Sequence, residues 1–385
     1  MTDLAGLPIR ILSPDSKPAP NSSDVVTIAA LGDLMLAGEW DEVSSSGTME
    51  ESLGGLRELV QADVLFANLE ATVPGDGETI TKQPRLIGQR ATVEAALKCL
   101  RLNVASLANN HTFDAHLEGF SKIRGLLNDL GITFLGAGQD LEEASRPVIL
   151  ERGGLSFGWL AFTDHETHPS HVASSDGYGV NPLEQDDAEE QVIALAKQVN
   201  HVVISIHWGV EYCHLPAPAQ ITLARRLIDA GASLVIGHHA HVIQGVEAYG
   251  SGAIAYNLGN ATTTDLEIDG QLAIHQSVRT RSSFALRAAF TSARLEHVEL
   301  VPFYTDRGRI KLDHHAPRRI LERANRSLAT GVSETRWRRV RFFEDVVMRT
   351  AKKLDPRVIR SVRPRHFVKF LRNIVGAASG RGPAA

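Results

Sequence analysis

The chain has 385 residues and a mass of 41.8 kDa, with 43% hydrophobic and 22% charged residues, a net charge of −5 and a pI near 6.3. These values describe a soluble globular protein with a sizeable core, in one large domain or two ordinary ones, and exclude a polyanion binder by overall composition. The two cysteines, Cys99 and Cys213, stand in no CxxC pair, which excludes a disulfide framework and a thiolate zinc site.

The stretch to about Asp24 is rich in Pro, Ser and Asn and reads as a flexible leader (1–24) without the basic start and apolar core of a signal peptide. No apolar run approaches the roughly 20 residues of a spanning helix. A cytoplasmic location is therefore expected. Val25–Asp33 (VVTIAALGD) then reads as a buried strand and opens an alternation of strands and helices. Asp63–Glu70 and Val104–His111 are apolar runs that end in polar clusters, and Thr92–Leu100 and His116–Gly131 carry helical spacing. Leu155–His165 and His201–Tyr212 read as strands, Ala219–Gly231 as an amphipathic helix, and Leu234–Gly245 (LVIGHHAHVIQG) as a strand running into a histidine cluster. Ala253–Asn260, Phe284–Phe290 and Leu295–Phe303 close the pattern with an antiparallel, β-rich tail.

Strand after strand ends in Asp, Glu, Asn or His. In an α/β sheet the carboxyl ends of the strands open onto ligand-binding loops, so Asp33, Asn68, Glu70, Asn109–His111, His207 and His238–His241 are expected at one edge. Imidazole, carboxylate and amide oxygen together suit borderline divalent metals. With 16 histidines in the chain, a polar loop enriched by chance is the competing reading of LVIGHHAHVIQG.

The blocks LGDLMLAG (Leu31–Gly38), ANLEATV (Ala67–Val73), SLANNHTFD (Ser106–Asp114), ISIHWGVEY (Ile204–Tyr212), LIDAGASLVIGHHAHVIQGVE (Leu227–Glu247) and AYNLGN (Ala255–Asn260) occur in one order. In this the chain resembles the CapA-type poly-γ-glutamate capsule biosynthesis proteins, a branch of the calcineurin-like metallophosphoesterase superfamily. The resemblance implies a four-layer α/β/β/α sandwich over 25–305 and a site for one or two divalent ions (Mn, Zn or Fe). It implies Asp33, Glu70, Asn110, His207, His239 and His241 as ligands, and His111 as the catalytic histidine. His239 and His241, two residues apart on a strand end, would face the same ion while His238 points away. Phosphoesterases of the superfamily commonly carry Asp-x-His in the first block; here it is Asp33-Leu34-Met35, and a thioether is a poor ligand for such ions.

Asn109, Glu211 and Asn260 beside these strand ends are candidate substrate-binding residues. So are Lys82, Arg85 and Arg90, on a basic loop suited to a carboxylate or phosphate; a solvated loop and a structural Glu211 are the alternatives. The His165, His168 and His171 loop reads as exposed, and no Gly-rich nucleotide loop occurs. Residues 306–335 read as a linker or peripheral helix, and 336–385 as a basic extension. Arg336–Arg372 holds 13 Lys or Arg against three acids, a net of +10, and apolar residues from Phe367 to Val375 follow helical spacing. That pattern suits a membrane surface or a partner protein better than nucleic acid, with a helix packed back on the core as the alternative. The reading implied is a metal-dependent hydrolase or transferase acting on poly-γ-glutamate or another acidic or phosphorylated envelope substrate; a non-catalytic factor that holds the polymer for a capsule synthetase is the rival.

Overall fold

The computed structural model describes residues 9–12, 25–81, 83–268, 271–312 and 315–344. Two sheets form its centre. In the larger, strands run in the order Ile9–Leu12, Leu295–Asp306, Ser282–Phe290, Val26–Leu34, Val64–Asn68, Val104–Ser106 and Thr133–Leu135. In the smaller the order is Val246–Tyr249, Gly252–Ala255, Ala232–His238, His201–His207, Leu155–Thr163 and Val148–Arg152. The strands from Val26 to Leu135 pair in parallel, as do Leu155–Thr163, His201–His207, Ala232–His238 and Gly252–Ala255. Parallel strands covered on both faces need continuous apolar runs, which is why these segments lack a polar side until their last residues.

Successive side chains leave a strand on opposite faces, and three cores follow. Ile28, Ala30 and Phe66 meet Trp159, Val203 and Ile236 in the space between the sheets, where the rings of Phe66 and Trp159 stack at 5.2 Å. Ala29, Leu31, Leu65 and Ala67 face outward onto the helices Met49–Leu59, Arg90–Leu100 and His116–Asp129. On the other side Leu160, Ile204 and Val235 meet the helices Gln185–Ala196 and Pro218–Asp229. Helix, sheet, sheet, helix: the fold is the four-layer α/β/β/α sandwich.

Within the stretch expected as a loose leader, Ile9–Leu12 is a strand paired antiparallel with Leu300 to His297. Its Ile9 and Ile11 pack on the inter-sheet core, and burial of two β-branched side chains outweighs the Pro/Ser-rich surroundings. The tail Ser282–Phe290 and Leu295–Asp306 is antiparallel. After it, the helix His315–Ala329 sets Leu321 into the inter-sheet core, and the helix Glu334–Arg341 docks through Trp337 on Cys213 and Leu215. The remaining basic extension, with the apolar stripe from Phe367, lies outside the described residues.

Candidate metal centre

Strand register brings the polar ends together. Asp33 is level with Asn68 and Asn260 in the larger sheet, and His207 with His238 and Thr163 in the smaller. The edges of the two sheets face each other there, so residues more than 200 positions apart share one buried cluster: His239 N donates to Asp33 Oδ2 at 3.2 Å.

Two donor groups meet on one carboxylate. Glu70, His207 and His239 offer atoms within 4.8 Å of one another, and so do Asp33, Glu70 and His241. Glu70 Oε1 lies 3.6 Å from His207 Nε2 and 3.8 Å from His241 Nε2. His207 Nε2 is also 3.0 Å from Asn110 Oδ1 and 3.1 Å from His239 Nδ1. Glu70 Oε1, Asn110 Oδ1 and His239 Nδ1 therefore gather around His207 Nε2.

The charge states suit that arrangement. Burial pushes His207 well below its usual range, with the neighbouring His239 adding to the effect, and burial holds His239 down to about 3 despite the nearby Glu211 carboxylate. Both rings are neutral at physiological pH and present lone pairs. Burial alone would also lower His241, but Glu70 and Asp33 raise it to about 10. Burial alone would raise the Asp33 carboxyl, yet His238 and His241 hold it well below the usual carboxylate range. Neutral His207 and His239 beside anionic carboxylates are the donor chemistry of a borderline divalent cation, whereas His241, held protonated by those carboxylates, would have to release its proton to join them. The residues present fit such an ion.

Around the donors lies a layer of positioning contacts. Asn68 Nδ2 donates to Asp33 Oδ1 at 2.8 Å and lies 3.3 Å from His207 Nδ1. Asn260 Oδ1 lies 2.8 Å from His241 Nδ1, while its amide donates to Thr280 O. Asn109, expected at the substrate, is instead occupied within the fold: it donates to Asn68 Oδ1 and Leu69 O, and its oxygen accepts from His111 N and Thr112 Oγ1. His238 is fully buried beside Phe66, with Nδ1 3.3 Å from Asp33 Oδ1.

His111 Nε2 faces Glu70 Oε1 at 4.0 Å, and its Nδ1 sits 2.6 Å from Asp114 Oδ2. The same Asp114 oxygen accepts from Leu86 N at 2.7 Å, which ties the 79–88 loop to the histidine. Asp114 was missed from sequence. Its signal is the spacing: an acid three residues after a histidine in a tight turn, here closed by Asp114 N donating to His111 O.

Several expectations are corrected by the geometry. His239 and His241 do not alternate along a strand, because the strand ends at His238; both have left-handed backbone, with φ of 88° and 54°. Such strained non-glycine conformations persist where the surroundings over-determine them, and here they leave the two rings with donor atoms within 4.8 Å of each other beside Glu211, while each also joins a group on Glu70. Arg85 donates to Thr79 and Ile80 of its own loop, and Arg90 pairs with Asp129 at 3.3 Å. Lys82 lies outside the described residues. Glu211 offers a carboxylate within 4.8 Å of His239 and His241 and lines a cavity of about 430 Å³ over the cluster. Met35 is buried against Leu86, an apolar wall where Asp-x-His would place an imidazole.

Comparison with known proteins places this cluster in a family. The model of the bacterial capsule synthesis protein PGA_cap matches residues 27–264, a span that contains every donor named above. The "probable polyglutamine synthesis accessory protein" of Mycobacterium tuberculosis is 30% identical over 261 residues, covering 65% of this chain and 68% of that protein. The PGA biosynthesis protein CapA of Bacillus subtilis is 28% identical over 243 residues, covering 62% of this chain and 63% of that one. Among solved structures, the NAD nucleotidase of Haemophilus influenzae aligns with a TM-score of 0.41 at 14% identity, covering 73% and 56% of the two chains. With more than half of its length matched, strand-end blocks included, the chain belongs to the bacterial capsule synthesis protein PGA_cap family.

Proposed function

We propose that this chain is a metal-dependent hydrolase or transferase acting on poly-γ-glutamate or another acidic cell-envelope polymer during its synthesis or processing. The observation that supports this most is the sharing of Glu70 between two donor groups, with the His111–Asp114 pair turned toward the same carboxylate. Asp33, Glu70, Asn110, His207, His239 and His241 would hold one or two divalent ions. Such ions, when bound, polarise a scissile carbonyl or phosphoryl oxygen and lower the pKa of a bound water. The chain's own part is proton handling and positioning. Asp114 fixes the Nδ1 side of the His111 ring, leaving Nε2 to give a proton to the leaving group. Left-handed His239 and the Asn68 bridge hold the donors in place, and the buried surroundings keep bulk water out.

The test uses the full-length protein loaded in turn with Mn²⁺, Zn²⁺ and Fe²⁺, assayed on a phosphodiester, a phosphomonoester and γ-glutamyl oligomers. Turnover of one class that EDTA abolishes and metal restores is expected. The accessory reading, in which the chain holds polymer for a synthetase without reacting, draws on Met35 in place of a histidine. Polymer binding that survives EDTA, with no turnover of any substrate, would establish that reading instead. Peripheral contact with an anionic leaflet through the basic C-terminal segment belongs to the same proposal. Each Lys or Arg near such a surface is worth about 1 kcal/mol and is screened by salt, so co-sedimentation with anionic vesicles should fall as ionic strength rises; no binding at low salt would exclude it.

A further inference from the structure

The cavity over the cluster has a wall that the family match does not supply. Glu211 and His239 form its metal side, the 166–168 turn forms another, and Arg341 lines it from the helix Glu334–Arg341, well beyond residue 264 where the match ends. We propose that Arg341 is a specificity residue that receives an oxyanion of the substrate, a carboxylate or a phosphate, while the reacting group sits at the cluster; this rests on the reading of the cluster given under Proposed function.

Arg341 is held for such a role. Its guanidinium lies over the Trp337 ring, 5.1 Å from the centroid. A guanidinium held over a ring keeps its N–H fork, the geometry that matches carboxylate or phosphate. Trp337 is itself buried on Cys213 and Leu215. Ser333 caps the helix by accepting from Arg336 N, at 3.3 Å. Past the helix end, Glu344 accepts from His214 N at 2.9 Å, lies 2.7 Å from His214 Nδ1, and pairs with Arg279. The 207–215 segment thus carries His207 and Glu211 to the cluster and also seats the helix that carries Arg341. Both ends of the cavity are thus anchored on that segment. Carboxylates from Glu166 and Glu211 would repel an anion elsewhere in the cavity, so Arg341 gives a second point of attachment and sets the orientation of an acidic substrate.

The experiment compares the full-length wild type with Arg341→Ala and Arg341→Lys, each loaded with metal. Two readouts are taken: calorimetric binding of γ-glutamyl oligomers and of inorganic phosphate, and turnover where it occurs. Arg341→Ala should weaken binding of one of the two anions about 10- to 100-fold, with the oligomer arm identifying a carboxylate and the phosphate arm a phosphate. Arg341→Lys should recover only part of the loss, because an ammonium keeps the charge without the fork. Where there is turnover, KM should rise by a similar factor for the acidic substrate and stay within about threefold for its amidated, neutral analogue. Metal content and melting temperature should match wild type. Unchanged affinity for both anions, or an equal loss for charged and neutral ligands, overturns the proposal. Absent turnover in wild type counts against the catalytic reading alone, since the binding readout stands without it.

Discussion

Replacing His239 with alanine should leave the purified protein with little metal, whereas His111→Ala should keep its metal and lose turnover. The two side chains lie in the same cluster, so the contrast tests roles rather than location. His239 Nδ1 meets His207 Nε2 at 3.1 Å, and removing one of three or four donors around an ion empties the position or weakens it by orders of magnitude. His111 stands off, with Nε2 4.0 Å from Glu70 and Nδ1 against Asp114. A positioned proton donor of this kind contributes about 10²- to 10⁴-fold to a rate, so turnover by His111→Ala should fall by that range at unchanged metal stoichiometry. Elemental analysis and the assay on one set of preparations decide it. Equal metal loss in both variants would contradict the assignment of His111.

Gly32→Ala and Gly237→Ala should each destabilise the protein strongly. The segment Tyr256–Asn260 threads between the sheet edges at the cluster. An alanine Cβ at Gly32 would fall 1.8 Å from Gly259 O, and one at Gly237 would fall 1.8 Å from Tyr256 O and 2.6 Å from Trp208 Nε1. The obstacle is backbone, not a side chain that can swing away, so the segment must move and take Asp33, whose N donates to Gly259 O at 3.1 Å, with it. Overpacking of this kind costs about 3 kcal/mol or more, enough to lower a denaturation midpoint well outside error or to prevent soluble expression. Gly55→Ala is the control. It lies in the helix Met49–Leu59 with nothing within 4 Å of the added methyl, and it should stabilise by about 0.5–1 kcal/mol. A Gly32→Ala protein with a wild-type midpoint would mean that the two backbones are not wedged as described.

The sequence by itself determined the strands, their alternation with helices and the edge at which polar residues gather. A parallel strand covered on both faces must be apolar along its length, so VVTIAALGD, ISIH and LVIGHH announce both their burial and the place where burial stops. The ordered blocks carried the family, and with it the sandwich. Only the tertiary structure decided how the side chains at that edge are held. The direction of His239 and His241 depends on left-handed backbone after the strand has ended, and periodicity says nothing about a side chain's direction there. That Asn109, Arg85 and Arg90 are occupied by local partners, and that Asp114 holds His111, depends on hydrogen bonds that composition cannot rank. Arg341 reaches the cavity from a helix that reads as a basic extension, because Trp337 finds an apolar seat on Cys213 and Leu215, more than 120 residues earlier in the chain. Contacts of that range arise from packing between layers, and no local pattern encodes them.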